Sequence, residues 1–180
     1  MLRRLRRWLR HKLHSLATKK TRPFDVALAF QSAEAFDEVA RVLHRAAMQG
    51  HRYILPIAIV TNASFALETY LKCLVALQSG LFLRGHDTWK LFRKLQSDTQ
   101  KALRAYHENY IDGKPEFEAA KNKGIKVDLD SLLKRGRNAF VDFRYAYETI
   151  PAGRDWGVGG LNQALREEIL KLHPEWKMDR

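Results

Sequence analysis

The apolar and polar positions divide the chain into amphipathic segments separated by short breaks, and one segment stands apart. Leu55 to Ser79 reads LPIAIVTNASFALETYLKCLVALQS and is the longest apolar stretch. On a helix of 3.6 residues per turn, Thr61, Ser64, Glu68, Lys72 and Ser79 fall within about 60° of one line. The rest of the circumference is apolar. A helix apolar on most sides belongs inside a bundle, so this segment is predicted to be the central helix, with a polar stripe that needs a partner.

The other segments read as helices with one apolar face. From Ser32 to Met48 the stripe is Phe36, Val39, Ala40, Leu43 and Ala47, with Ser32 as the expected N-cap and Gly50 as the stop. From Trp89 to about Tyr110 the stripe is Phe92, Leu95, Thr99, Leu103, Tyr106 and Tyr110, with Asp87 or Thr88 as the cap. Asp112-Gly113-Lys114-Pro115 breaks that helix. Residues 113–127 read as a mobile polar connection, with a short helix near Glu116 to Lys121. Asp128 or Asp130 caps a last long helix reaching about Thr149, with Leu129, Leu133, Gly136, Phe140, Phe143 and Tyr147 facing inward. A glycine-rich loop and a short helix, Asn162 to Leu172, finish the chain. No period-2 strand pattern is present, so the predicted fold class is all-α.

Charge is unevenly placed. The net charge is +12, yet residues 1–24 hold nine basic side chains and no acidic one. The basic character therefore belongs to an N-terminal arm, and the body is only mildly basic. In residues 1–20 Leu2, Leu5, Leu9, Leu13 and Leu16 recur at steps of three and four, with arginines and lysines around them. Such a cationic amphipathic helix suits docking on its own domain or a partner, nucleic acid, an anionic membrane surface, or targeting. No stretch reaches the roughly 20 apolar residues of a membrane span, and a secretory signal core is missing. Cys73 is the sole cysteine. It excludes an internal disulfide and a cysteine-based zinc site, and it fits a buried small hydrophobe in a reducing, cytoplasmic setting.

No phosphate-binding glycine loop, HExxH or paired metal-ligand spacing is present. Four features in order carry a resemblance: NASFALETYLKCLVAL (Asn62 to Leu77), GHDTWKLFRKL (Gly85 to Leu95), the long connection, and RNAFVDFRYAYE (Arg137 to Glu148). Together they resemble the HEPN superfamily over roughly residues 30–150. The resemblance implies a four- to five-helix up-and-down bundle, often dimeric, and in many members a metal-independent ribonuclease. The family's hallmark is an arginine, often followed by a polar residue, with a histidine four to six positions on. Arg137-Asn138 matches the start, while the eligible positions hold Asp142, Phe143 and Arg144. His86 and His107 lie on other elements. On a continuous helix Asp142 would sit about 140° from Arg137 and point away from it.

Metal-free RNA cleavage needs a proton acceptor for the 2′-hydroxyl, a donor for the leaving oxygen, and cationic support for the phosphorane. Arginine suits the last role and histidine the first two. Arg137 and Asn138 are therefore the candidate catalytic residues. Arg144, Tyr145, His86, Arg3, Arg4, Arg6, Arg7 and Arg10 are candidates for contacting RNA or another ligand. Glu68 and Arg144 are expected to form a structural ion pair between helices, and Lys72 an intrahelical partner for Glu68. Trp89, Trp156 and Trp176, with Tyr145 and Tyr147, could stack on bases, although aromatics at helical spacing belong more often to a core.

The expected organisation is a basic arm (1–22), a HEPN-like bundle (23–150) and a C-terminal loop and helix (151–180) packing on it. No cofactor or metal is expected. The implied function is an RNA-associated protein of prokaryotic defence, stress or toxin–antitoxin type, binding RNA or a protein partner such as an antitoxin, as a homodimer, with or without nuclease activity. The alternatives are a divergent metal-independent endoribonuclease, a structural dimerisation or interaction module, and a membrane-surface protein tethered by residues 1–20.

Overall fold

A computed structural model describes residues 24–51, 56–144 and 160–177. Among them lie eight α-helices and no strand: α1 (Val26–Met48), α2 (Pro56–Ser79), α3 (Thr88–Phe92), α4 (Ser97–Ile111), α5 (Pro115–Asn122), α6 (Leu129–Arg135), α7 (Ala139–Arg144) and α8 (Leu161–Leu172), with a 3₁₀ turn at Pro174–Trp176. The molecule is an all-α helical bundle. No helix among the described residues is long and apolar enough to cross a membrane.

The apolar segment does occupy the middle. α2 packs against α1, α8, α7 and α3. Proline at its first position fits, because the lost N–H has no helical partner there. Its residues Leu67, Tyr70, Leu71, Cys73, Leu74 and Val75 are buried, and Phe30, Leu91, Phe92, Leu103, Leu133, Leu165 and Ile169 close the core around them. At about 25 cal/mol per Å² of apolar surface, this cluster is the main source of stability.

Three boundaries differ from the sequence reading. α1 starts six residues before Ser32: the Asp25 carboxylate accepts the Leu28 N–H at 3.0 Å. Ser32 is interior, and its hydroxyl donates back to the Leu28 carbonyl at 2.8 Å. The predicted Trp89–Tyr110 helix is two helices. Their junction is fixed from α2, where Gln78 Oε1 accepts the Gln96 N–H (2.9 Å) and its amide donates to the Thr99 hydroxyl (2.7 Å). The predicted 128–149 helix also divides, with Gly136 capping the end of α6 and a turn leading to α7; residues 145–150 lie outside the described set.

The polar connection has a core of its own. α5 turns Phe117 onto Ile111 and Val127, with Tyr110 and Ala120 beside them. Asp128, not Asp130, caps α6 by accepting the Ser131 N–H at 2.8 Å. Asp130 instead takes the Arg104 guanidinium at 2.9 Å.

Candidate functional site

The polar stripe of α2 has a buried carboxylate at its middle. Glu68 is 2% exposed, and Lys72 one turn on reaches it at 2.6 Å. The pair expected with Arg144 gives way to a different partner. His86, in the loop before α3, places Nδ1 3.0 Å from each Glu68 oxygen. Among the described residues, Glu68 is thus joined to the loop before α3 by a histidine. Arg144 lies at the end of α7, with its guanidinium 5.1 Å from the Phe140 ring centre.

The contact orients the imidazole. An ionised carboxylate only accepts, so Nδ1 is the nitrogen that donates to Glu68. Nε2 makes no hydrogen bond among the described residues, and the side chain is 48% exposed. Phe140 backs the ring at 6.0 Å between centres, and Phe65 backs Phe140 at 4.6 Å. The histidine is held from below by a buried acid and from one side by aromatic packing.

His86 opens onto a cleft of about 390 Å³ whose other walls are Asp87, Lys90, Arg137, Asn138, Val141 and Asp142. Thus Arg137, Asn138 and His86, singled out on separate segments, line one space. The adjacency is set by backbone. Asp87 caps α3 by accepting the Lys90 N–H at 2.9 Å. The buried Thr88 then donates its own N–H to the Arg137 carbonyl at 2.8 Å. Asp142 also corrects the sequence reading: the turn at 136–138 removes the continuous helix that would have aimed it elsewhere, and it shares the cleft with Arg137. The Arg137 guanidinium is exposed and has no ion-pair partner among the described residues. Lys90 stands 3.7 Å from Asp87.

Other candidates belong to the fold. His107 is buried and donates from Nε2 to the Val127 carbonyl at 2.8 Å. Trp89 packs on the core, with Lys134 4.7 Å from its ring centre. Trp176 stacks on His173 and meets Phe30. Tyr145, Tyr147, Trp156, Arg3, Arg4, Arg6, Arg7 and Arg10 lie outside the described residues. Among the described residues no three His, Cys, Asp or Glu side chains are grouped to hold a metal ion.

Sequence reasoning missed a second polar network. Glu34 is buried in α1, where Arg166 of α8 donates Nε to both its oxygens at 2.8 and 3.0 Å and the Tyr70 hydroxyl donates at 2.5 Å. Asn162 bridges Asp37 and the Ala63 carbonyl. These contacts tie α8 to α1 and α2. The available signal was Glu34, Asp37 and Arg41 at helical spacing along one line of the helix.

What the fold and site define is an all-α bundle with a histidine-bearing, partly cationic cleft. No family model, curated protein or solved structure matches the chain.

Proposed function

We propose that this is a HEPN-like, RNA-associated protein that holds a phosphodiester in the cleft between α3 and the α6–α7 turn. The supporting observation is the gathering of Arg137, Asn138, Lys90 and His86, beside Asp87 and Asp142, on one space, with no ion-pair partner for Arg137 among the described residues. A guanidinium there can grip phosphate oxygens in a bidentate manner, and the Asn138 amide can donate beside it. The arginines of residues 1–22 add charge that follows an RNA backbone without reading its sequence. A homodimer in a prokaryotic defence, stress or toxin–antitoxin setting is what the resemblance implies for such a protein.

Anisotropy titrations of labelled single-stranded RNA over several salt concentrations test this. Arg137→Ala is expected to weaken binding about 10- to 100-fold, the loss of a charge-assisted contact worth about 1.5–3 kcal/mol. Removing residues 1–22 is expected to flatten the salt dependence, by about 0.7 in slope per lost phosphate contact. Binding to anionic vesicles with none to RNA at low salt would overturn the reading.

A second reading, metal-independent cleavage, is favoured by the Glu68–His86 contact. With Nδ1 engaged, Nε2 would take the 2′-hydroxyl proton. The 2′ oxygen then bonds to phosphorus, the bond from phosphorus to the 5′ oxygen breaks, and the imidazolium returns its proton to that leaving oxygen. Labelled RNA incubated in EDTA should yield cyclic-phosphate ends, and His86→Asn and Arg137→Ala should each abolish them. RNA left intact by the wild-type protein, with binding retained, selects the binding reading.

A further inference from the structure

The cleft that holds Arg137 does not end at α3. Beyond Asp87 and Lys90 lies a second cleft of about 260 Å³, and those two residues wall both. The loop before α3 supplies each cleft with one side chain: Arg84 lines the second and His86 the first. Gly85 between them has φ +101°, a left-handed conformation that favours glycine. Leu83 and Leu91 form the apolar side of the second cleft, and Lys94, in the turn after α3, completes its basic side. Arg84 and Lys94 are exposed and have no ion-pair partner among the described residues.

Charge decides where a polyanion gains most. The first cleft is balanced, with Lys90 and Arg137 against Asp87 and Asp142. Asp87 is itself engaged: the Lys90 N–H donates to it at 2.9 Å, and Lys90 Nζ stands 3.7 Å from its other oxygen. The second cleft brings Arg84 and Lys94 and no further acid. The cationic excess of the joined clefts therefore sits outside the part that holds Arg137. A lone phosphate at Arg137 meets as many acids as bases, whereas a strand that crosses Lys90 reaches two further cations and releases counterions at each phosphate they neutralise.

Building on RNA as the ligand of the first cleft, we propose that the strand runs on over Lys90 into the second cleft, so that single-stranded RNA is gripped at consecutive phosphates rather than at one. Arg84 and Lys94 are the contacts of the neighbouring phosphate. A single strand suits the site because its sugars and bases are free to lie against Leu83 and Leu91, whereas a duplex keeps its bases paired and stacked.

Anisotropy of labelled hexauridylate over several salt concentrations tests the path, with the full chain throughout. Arg84→Ala with Lys94→Ala should weaken binding about tenfold or more and flatten the salt slope by about 1.4, at about 0.7 per lost phosphate contact. Lys123→Ala with Lys126→Ala removes the same charge from exposed positions that line neither cleft, and should weaken binding less than about threefold, since exposed charges away from the strand are screened. Labelled diuridylate, with one phosphodiester, should bind the wild type about tenfold or more weakly than the hexamer. Equal affinity for the two RNAs, or an equal loss in both double variants, overturns the proposal. A loss with Arg137→Ala and none with Arg84→Ala and Lys94→Ala overturns it too, while leaving the first cleft as the RNA site. No binding of hexauridylate by the wild type overturns both.

Discussion

Replacing Asp128 with alanine isolates a single contact that starts the helix leading to the cleft's arginine. The Asp128 carboxylate accepts the Ser131 N–H at 2.8 Å and so closes the open end of α6. α6 has only seven residues, yet it delivers buried Leu129, Leu132 and Leu133 to the core. Loss of the cap therefore acts on core packing as well as on an exposed turn. An N-cap replaced by alanine costs about 1 kcal/mol, within a range of about 0.5–2. For a domain of this size that is a fall of about 2–4 °C in melting temperature.

The pH dependence has a definite sign. Burial pushes the Asp128 carboxyl up, but hydrogen bonds from Ser131, its own backbone N–H and the charge of Lys126 outweigh it, and the group is held below its usual 3.8. A carboxyl depressed in the folded state stabilises above its unfolded value and loses that contribution as pH falls through the folded value. The gap between wild type and Asp128→Ala should then be full at pH 7 and shrink below about pH 4. Asp128→Asn keeps an acceptor without the charge and should fall between the two at pH 7. Urea titrations followed by circular dichroism at pH 7, 5 and 3 measure the gap. A gap that stays constant down to pH 3, or one under about 0.3 kcal/mol at pH 7, against the usual cap cost, would refute the assignment of the cap.

Three further outcomes follow from other contacts. Burial pushes the Cys73 thiol up to about 12, so a disulfide reagent should label it only at the rate of unfolding, and rapid labelling of the native protein would contradict the packing. Gly160 has φ +82°, and a Cβ there would lie 2.6 Å from the Tyr110 ring; Gly160→Ala should cost about 1–3 kcal/mol of strain, seen as a lower urea midpoint at unchanged slope. Gln78→Leu removes both bonds at the α3–α4 junction and should cost about 1–3 kcal/mol by the same titration, whereas a neutral result would mean that Arg93–Gln96 breaks without help from α2.

The parts that could be read directly from the sequence are those governed by local pattern. The core helix follows from sixteen apolar positions around a thin polar stripe, the Glu68–Lys72 pair from i,i+4 spacing, and a cap at Asp87 or Thr88 from their place before a periodic run. What stayed hidden depends on distant residues. Nothing in Arg93-Lys94-Leu95-Gln96 signals a break, because the side chain that holds it open is Gln78 on another helix. Ser32 resembles a cap because a serine precedes acidic residues, yet Asp25 does the same work about two turns earlier. His86 lies 18 residues from Glu68, a separation at which no helical spacing relates them.

The hidden breaks are also what make the cleft. In an uninterrupted helix the Arg137 carbonyl would accept the N–H of Val141. Here Val141 donates to Asn138 at 3.0 Å, and the Arg137 carbonyl turns instead to the Thr88 N–H. Thr88 opens α3, where the first backbone donors have no helical partner. Each group is left over from its own helix, and together they form one bond between two helices that are far apart in sequence. Asp87 and His86 precede Thr88, and Asn138 follows Arg137, so this bond sets the positions of four cleft residues at once. Glu68 orients the imidazole from the middle of α2. A single long helix at either place would satisfy its own backbone, leave Thr88 unpaired, and carry Arg137 and His86 on unrelated faces.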